Sequence, residues 1–204
     1  MAMLRLFLAV DLMEAQKKAA LDLIERLQKG TLFTQSFPKW VDASQLHITM
    51  KFLGAVDAGR VPEIIRNVEA GIGSFPAFDL SVERLGVFPN PREPKVLWVG
   101  TDQGKRQITQ LAARLDDALV RSGFEPEMRE FHPHLTLARI KALRGASALM
   151  GVVDSHRDAS VGVGRVDHVT LYSSDLKPEG PEYLALHCWP LRVKEENGGS
   201  GTSE

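Results

Sequence analysis

Cysteine is nearly absent: Cys188 is the one cysteine in 204 residues. An intrachain disulfide is therefore excluded, and a cysteine-based metal site lacks its partners. Cys188 sits in a strand-like run between His187 and Trp189 and reads as a small core residue. Charge of neither sign is in excess. Twenty-five Lys and Arg stand against 26 Asp and Glu, a net charge of −1 with a sequence pI of about 6.6. That balance excludes broad electrostatic capture of a nucleic-acid duplex; such a substrate would be gripped locally, at an end. No run reaches the roughly 20 apolar residues of a membrane span. The apolar opening MAMLRLFLAVDL is short, carries Arg5 within it and has no small-residue cleavage pattern. It reads as a first strand and not as a signal peptide, and the expected location is the cytoplasm. Neither a phosphate-cradling P-loop nor an H-E-x-x-H metal motif occurs.

What is present is a regular alternation. Residues 3–10 read as a buried strand, 14–29 as a helix with Ala20, Leu23, Ile24 and Leu27 on one stripe, and 46–53 as a strand. A second stripe (Val61, Ile64, Ile65, Val68, Ile72) precedes a strand at 78–88 and the turn-rich PNPREP. The order then restarts: a strand at 95–101, a helix through Ile108, Leu111, Leu115 and Leu119 closed by Gly123, a strand at 134–140, and a short helix around 143–153. A strand at 163–174 and a last strand at 182–193 complete it. The chain is thus an internal repeat. The expected architecture is a single α+β domain over residues 1–193, built as two pseudo-symmetric lobes (about 1–90 and 91–175), each with an antiparallel sheet and outer helices, around a central cleft. The tail 194–204 has nothing to bury and is expected to be disordered.

The repeat places His47-Ile48-Thr49-Met50 and His134-Leu135-Thr136-Leu137 at matching positions. On a strand, residues i and i+2 share a face, so each lobe presents one imidazole and one hydroxyl to the cleft. Two histidines suit cleavage of a phosphodiester. One neutral ring takes a proton from an attacking water while the other, protonated, gives one to the leaving oxygen. Threonine hydroxyls can donate to the phosphate oxygens that gain charge. The scheme needs no metal, and a zinc site at these histidines would want a third ligand that the motifs do not supply. A third H-x-T, His168-Val169-Thr170, falls opposite Arg84 in the repeat and so reads as outside the pair.

These paired motifs, with the stretches RLFLAVDL (5–12), LHITMKFLG (46–54), GVFPNPREPKVLWVG (86–100), FHPHLTLARI (131–140) and LYSSDLKPEGPEYLAL (171–186), resemble the 2H phosphoesterases. Within that superfamily they are similar to the RNA 2',3'-cyclic phosphodiesterases, also called 2'-5' RNA ligases. The resemblance implies a bilobal α+β fold with two antiparallel sheets facing a cleft. It also implies metal-independent hydrolysis of a 2',3'-cyclic phosphate to a 2'-phosphate, with reversible 2'-5' ligation in some members. It implies His47 as proton donor, His134 as proton acceptor, and Arg139 as a phosphate-binding residue beside Thr49 and Thr136. From the residues alone the direction of proton transfer stays open, because the lobes are near-equivalent.

Strand parity points Arg139 away from His134 unless a bulge intervenes, and it puts Lys51 on the His47 face. His132, held extended by Pro133, is placed to orient the strand entry. Trp40, Phe88, Trp98 and Tyr172 are candidates to stack a base or to fill the core. The expected partners are RNA ends or cyclic nucleotides, with no cofactor, no membrane and a monomeric state. Two alternatives remain open from the sequence. One is a phosphodiesterase for 2'-5' oligoadenylate or ADP-ribose cyclic phosphate; the other is a non-catalytic RNA- or nucleotide-binding module.

Overall fold

Phe7, Leu8, Ala9 and Val10 are consecutive and all buried, the signature of a strand covered on both faces. They form the middle of β1 (Met3–Asp11) in the computed structural model, which describes residues 2–30, 36–143, 146–178 and 180–193. The tail expected to be disordered lies outside the described residues. After β1 come α1 (Glu14–Gly30), β2 (Ser36–Trp40), β3 (His47–Asp57), α2 (Val61–Ile72), β4 (Phe78–Phe88) and β5 (Val96–Thr101). Then follow α3 (Lys105–Arg121), β6 (Leu135–Leu143), α4 (Ala146–Ser155), β7 (Ser160–Val166), β8 (His168–Leu176) and β9 (Pro181–Pro190). The helical stripes are the buried ones: Ile64, Val68 and Ile72 on α2, and Ile108, Leu111, Leu115 and Leu119 on α3. Gly123, just past α3, takes φ +74°, the left-handed conformation that ends a helix most cheaply at glycine.

The strands form one curled antiparallel sheet in the order β7-β4-β5-β6-β3-β1-β8-β9, with β2 beside β6. It divides naturally at β6–β3, where one residue pair, Ile48 with Leu135, joins β7-β4-β5-β6 to β3-β1-β8-β9. Further along β6, β2 takes the place of β3, pairing Trp40 with Ala138 and Lys39 with Arg139. The expected α+β architecture of two lobes is what the strands build.

Three expectations need correction. The lobes are not the two halves of the chain. β4, from the first repeat, pairs with β5 and β7, whereas β8, from the second, pairs with β1. Each repeat gives its third strand to the other's sheet, so a division near residue 90 does not follow the hydrogen bonds. The run 163–174, read as one strand, is two. It breaks at Asp167, because β7 belongs to one half-sheet and β8 to the other. A single residue can bridge at most about 7 Å between its neighbours, so Asp167 pins the two halves together at that end. Cys188 is exposed, not core. It alternates with Trp189, which is fully buried, on the edge strand β9. The sequence reading also passed over β2, whose Pro38 lacks an N–H; proline is tolerated at such an edge position.

Candidate active site

In β3, Ile48 and Met50 are buried behind the sheet while His47 and Thr49 are half-buried on the opposite face. Leu135 and Leu137 are buried likewise, with His134 and Thr136 half-buried. The Ile48–Leu135 pair fixes the register between the motifs. By that register His47 stands opposite Thr136 and Thr49 opposite His134. The two histidines then lie on a diagonal, about 7–8 Å apart in a regular antiparallel ladder. A single backbone pairing therefore converts two separate H-x-T strands into one alternating square of imidazoles and hydroxyls.

Each strand has a bulge immediately after its motif. In β3, Thr49 pairs with Ala9 and Lys51 with Leu8, so Met50 is the extra residue. In β6, Thr136 pairs with Trp98 and Ala138 with Leu97, so Leu137 is the extra residue. A bulge shifts the alternation by one. Leu137 and Ala138 are consecutively buried, after which Arg139 emerges exposed on the cleft side. This resolves the parity objection to Arg139. The same shift turns Lys51 away from the cleft, against parity. Its ammonium pairs with Asp116 of α3 and donates to the Glu125 carbonyl at 2.8 Å. Phe52, the positional counterpart of Arg139, faces the cleft and is 66% exposed.

His47 Nε2 lies 3.1 Å from Thr49 Oγ1, and the ring is also hydrogen-bonded to the backbone of Gln45. His134 Nδ1 donates a hydrogen bond to the His132 carbonyl oxygen at 2.7 Å. Each ring is thus anchored to the backbone two residues upstream. For His134 this leaves Nε2 as the free nitrogen. His132 acts here through its carbonyl, while its own side chain is exposed. Aromatic rings hem in both histidines. Phe7 and Tyr183 lie 5.0 and 5.3 Å from His47 between ring centres. Phe88 and Trp98 lie 5.0 and 6.2 Å from His134.

A cavity of about 570 Å³ opens over this face, walled by His47, Thr49, Thr136, Arg139, Phe52, Tyr183 and Trp40 among others. Arg5 and Lys39 add positive charge to its wall. His134 is not part of that wall, and Phe88 and Trp98 pack against its ring. Of the aromatic candidates, Trp40 alone reaches the cavity; Phe88 and Trp98 pack on each other at 4.8 Å, and Tyr172 stacks on Phe7 at 5.3 Å. Phe7, Phe52 and Tyr183 were not singled out in the sequence. Phe52 is visible only once the bulge is known, and Tyr183 only once β9 is placed beside β8.

Burial lowers the pKa of His47 to about 4, opposed by the nearby Asp11 carboxylate and reinforced by the positive charges of Arg139 and His134. Burial also lowers that of His134, with the His132 carbonyl opposing and Arg139 adding to the shift. Both shifts favour the neutral rings near pH 7. Arg139, on the cavity wall, is a positive charge felt by both rings. No group of three or more His, Cys, Asp or Glu side chains that could hold a metal ion occurs among the described residues. None of the described helices is long and apolar enough to cross a membrane.

A curled antiparallel sheet presenting one H-x-T strand from each half beside a cationic cavity defines the class: the chain is a 2H phosphoesterase, with the fold of the LigT-like enzymes. It belongs to the 2'-5' RNA ligase superfamily, whose family model matches residues 15–178. An RNA 2',3'-cyclic phosphodiesterase of Methanothermobacter thermautotrophicus is 35% identical over 187 residues, 92% of this chain and 98% of that protein. One from Methanocaldococcus jannaschii is 32% identical, over 91% of this chain and all of its own length. Among solved structures, E. coli LigT complexed with 3'-AMP superposes with a TM-score of 0.74 at 28% identity, covering 93% of this chain and 99% of that one. A Thermus thermophilus protein reaches 0.75 at 26% identity, covering 94% and 100%.

Proposed function

We propose that this protein hydrolyses the 2',3'-cyclic phosphate at an RNA end, or of a nucleotide, to a 2'-phosphate and a free 3'-hydroxyl. The observation that carries this reading is the register Ile48–Leu135, which puts His47 opposite Thr136 and Thr49 opposite His134, beside the cationic cavity that His47, Thr49 and Thr136 line. His134, neutral, accepts a proton from water. The water oxygen bonds to phosphorus, and the bond from phosphorus to the 3'-oxygen breaks. His47, protonated when the substrate anion is bound, delivers its proton to that leaving oxygen. Thr49, Thr136 and Arg139 donate hydrogen bonds to the non-bridging oxygens as their charge grows.

The names of the curated relatives support this activity, and the complex of LigT with 3'-AMP supports a nucleotide in the cleft. With an RNA 5'-hydroxyl in place of water, the same two proton transfers make a 2'-5' linkage. Turnover of 2',3'-cyclic nucleotides and of RNA carrying a cyclic-phosphate end is to be measured in excess chelator. Activity is expected to persist there, and to fall by roughly 10²–10⁴-fold in His47→Ala and in His134→Ala. Undiminished turnover in either variant would remove the mechanism. A panel including 2'-5' oligoadenylate and ADP-ribose cyclic phosphate ranks the substrates; tight binding with no turnover of any would leave a binding module.

A further inference from the structure

The third H-x-T motif is not idle. Asp11, at the end of β1, is the ladder partner of His47 on β3. On its other flank, continuing the β1–β8 register of Ala9 with Thr170, stands His168. The Asp11 carboxylate accepts hydrogen bonds from Thr170 Oγ1 at 2.8 Å and from Tyr172 Oη at 2.8 Å, and His168 Nε2 lies 3.3 Å away. The other nitrogen of His168 faces Asp167 Oδ1 at 2.5 Å. Three donors from β8 thus converge on one carboxylate whose side chain is only 22% exposed.

Among the described residues the other lobe has nothing equivalent. Matching Ala9 with Trp98, each opposite its motif threonine, sets Gly100 at the place of Asp11. Matching Tyr172 with Phe88 sets Arg84 at the place of His168 and Gly86 at the place of Thr170. The Trp98 ring lies over both glycines, so close that a Cβ at Gly86 would collide with it. Where the first lobe keeps an anion and its three donors, the second keeps an indole. The two histidines, equivalent by repeat, are therefore inequivalent in charge.

We propose that Asp11, clamped by His168, Thr170 and Tyr172, is a positioning residue for His47, and that its fixed negative charge lets His47 hold the proton it donates. This rests on the acid–base reading above and accounts for its direction. The other groups around His47 among the described residues are cationic or neutral: Arg139 from β6, His134 just before it, Tyr183 from β9, Tyr172 from β8, and Arg5 on the cavity wall. The charges that act on His134 are Arg139 and His132, with no carboxylate among them. Burial alone disfavours a charged His47 strongly, so a proton donor at that site needs a resident anion as well as the substrate's. Against the cost of burial, the clamp donors keep Asp11 ionised.

The test is the Asp11→Asn protein, which keeps the shape and loses the charge. Histidine side-chain NMR titration of the ligand-free protein is expected to show His47 titrating about one pH unit lower or more, with His134 unmoved. The kcat–pH profile on a 2',3'-cyclic nucleotide is expected to lose its alkaline limb first. That limb shifts to lower pH, and kcat at pH 7 falls about tenfold, a fraction of a full general-acid contribution. Tyr172→Phe and Thr170→Val each remove one clamp donor and should move His47 in the same direction by less; they decide the matter if Asp11→Asn does not fold. An unmoved His47 titration in all folded variants, or a uniform loss of kcat with an unshifted limb, overturns the proposal. A shifted His47 titration in a protein that hydrolyses no cyclic phosphate would uphold the coupling and sink the activity reading instead.

Discussion

His47 and His168 are two imidazoles with opposite fates, set by what burial brings beside each. His47 is pushed down to about 4 by burial. His168 is raised to about 9, chiefly by its hydrogen bond to Asp11, then by Asp167, against the cost of burial. Both shifts are stability statements. Between about pH 6.5 and 4 the unfolded chain binds a proton at residue 47 that the folded chain refuses, so that stability is present above 6.5 and lost as pH falls. For His168 the folded state holds the proton more tightly. Its contribution is complete below 6.5 and is lost as pH rises through about 9. Urea midpoints measured against pH should therefore peak near 6.5 and decline on both sides. His168→Gln is expected to flatten the alkaline decline and leave the acid one. A midpoint that does not fall between pH 7 and 9 in the parent protein would contradict the His168 ion pair.

At the scale of a strand, the decisive features are the two bulges, at Met50 and Leu137. In β6 the bulge converts an H-x-T-x-x-R pattern, which parity would split between two faces, into one face carrying histidine, threonine and arginine; in β3 it brings Phe52 to the cavity. The β3 bulge also sends Lys51 to the helix layer, where it joins β3 to α3 through Asp116. Lys51→Met should thus be a stability variant and not an activity variant. Asp116 would keep its hydrogen bonds from Glu127 N at 3.1 and 3.2 Å but lose its cation. The expected cost is about 1–3 kcal/mol in urea unfolding, with kcat/KM on a cyclic nucleotide within about twofold of the parent. A large loss of activity at unchanged stability would return Lys51 to the phosphate.

For the molecule as a whole, the exchange of β4 and β8 means that neither half of the chain contains its own sheet. α1 adds to this: the buried Gln16 donates to the Gly162 carbonyl at 3.2 Å, so the helix that follows β1 is fastened to β7 in the other half-sheet. Beyond β9, the backbone of Arg192 exchanges hydrogen bonds with Phe75 and Ala77, just before β4. Unfolding one lobe therefore strips strands and helices from the other, and a single cooperative transition is expected. Trp98 on β5 and Trp189 on β9 report separately on the two halves. In proteins retaining one tryptophan each, their urea transitions should coincide, with equal midpoints and slopes. Separated transitions would mean that the lobes fold independently.

Hydrophobic periodicity was enough to place most elements, because it depends only on which residues must be buried. α2 and β4 fall at 61–72 and 78–88 in both the reading and the structure. The H-x-T duplication was equally legible, since alternation on a strand puts its histidine and threonine on one face without any knowledge of partners. Cys188, the break at Asp167, the side of Lys51 and the companions of His168 were not legible. Each depends on which strands hydrogen-bond and in what register, and residues 157 apart, such as Asp11 and His168, have no local signal of meeting. The amino-acid order by itself determined the elements and the two imidazole–hydroxyl pairs, through burial and backbone alternation. Tertiary structure alone decided that the pairs form one square, that Arg139 joins them and that a carboxylate stands beside only one histidine, because pairing, bulges and long-range charge exist only once the sheet is assembled.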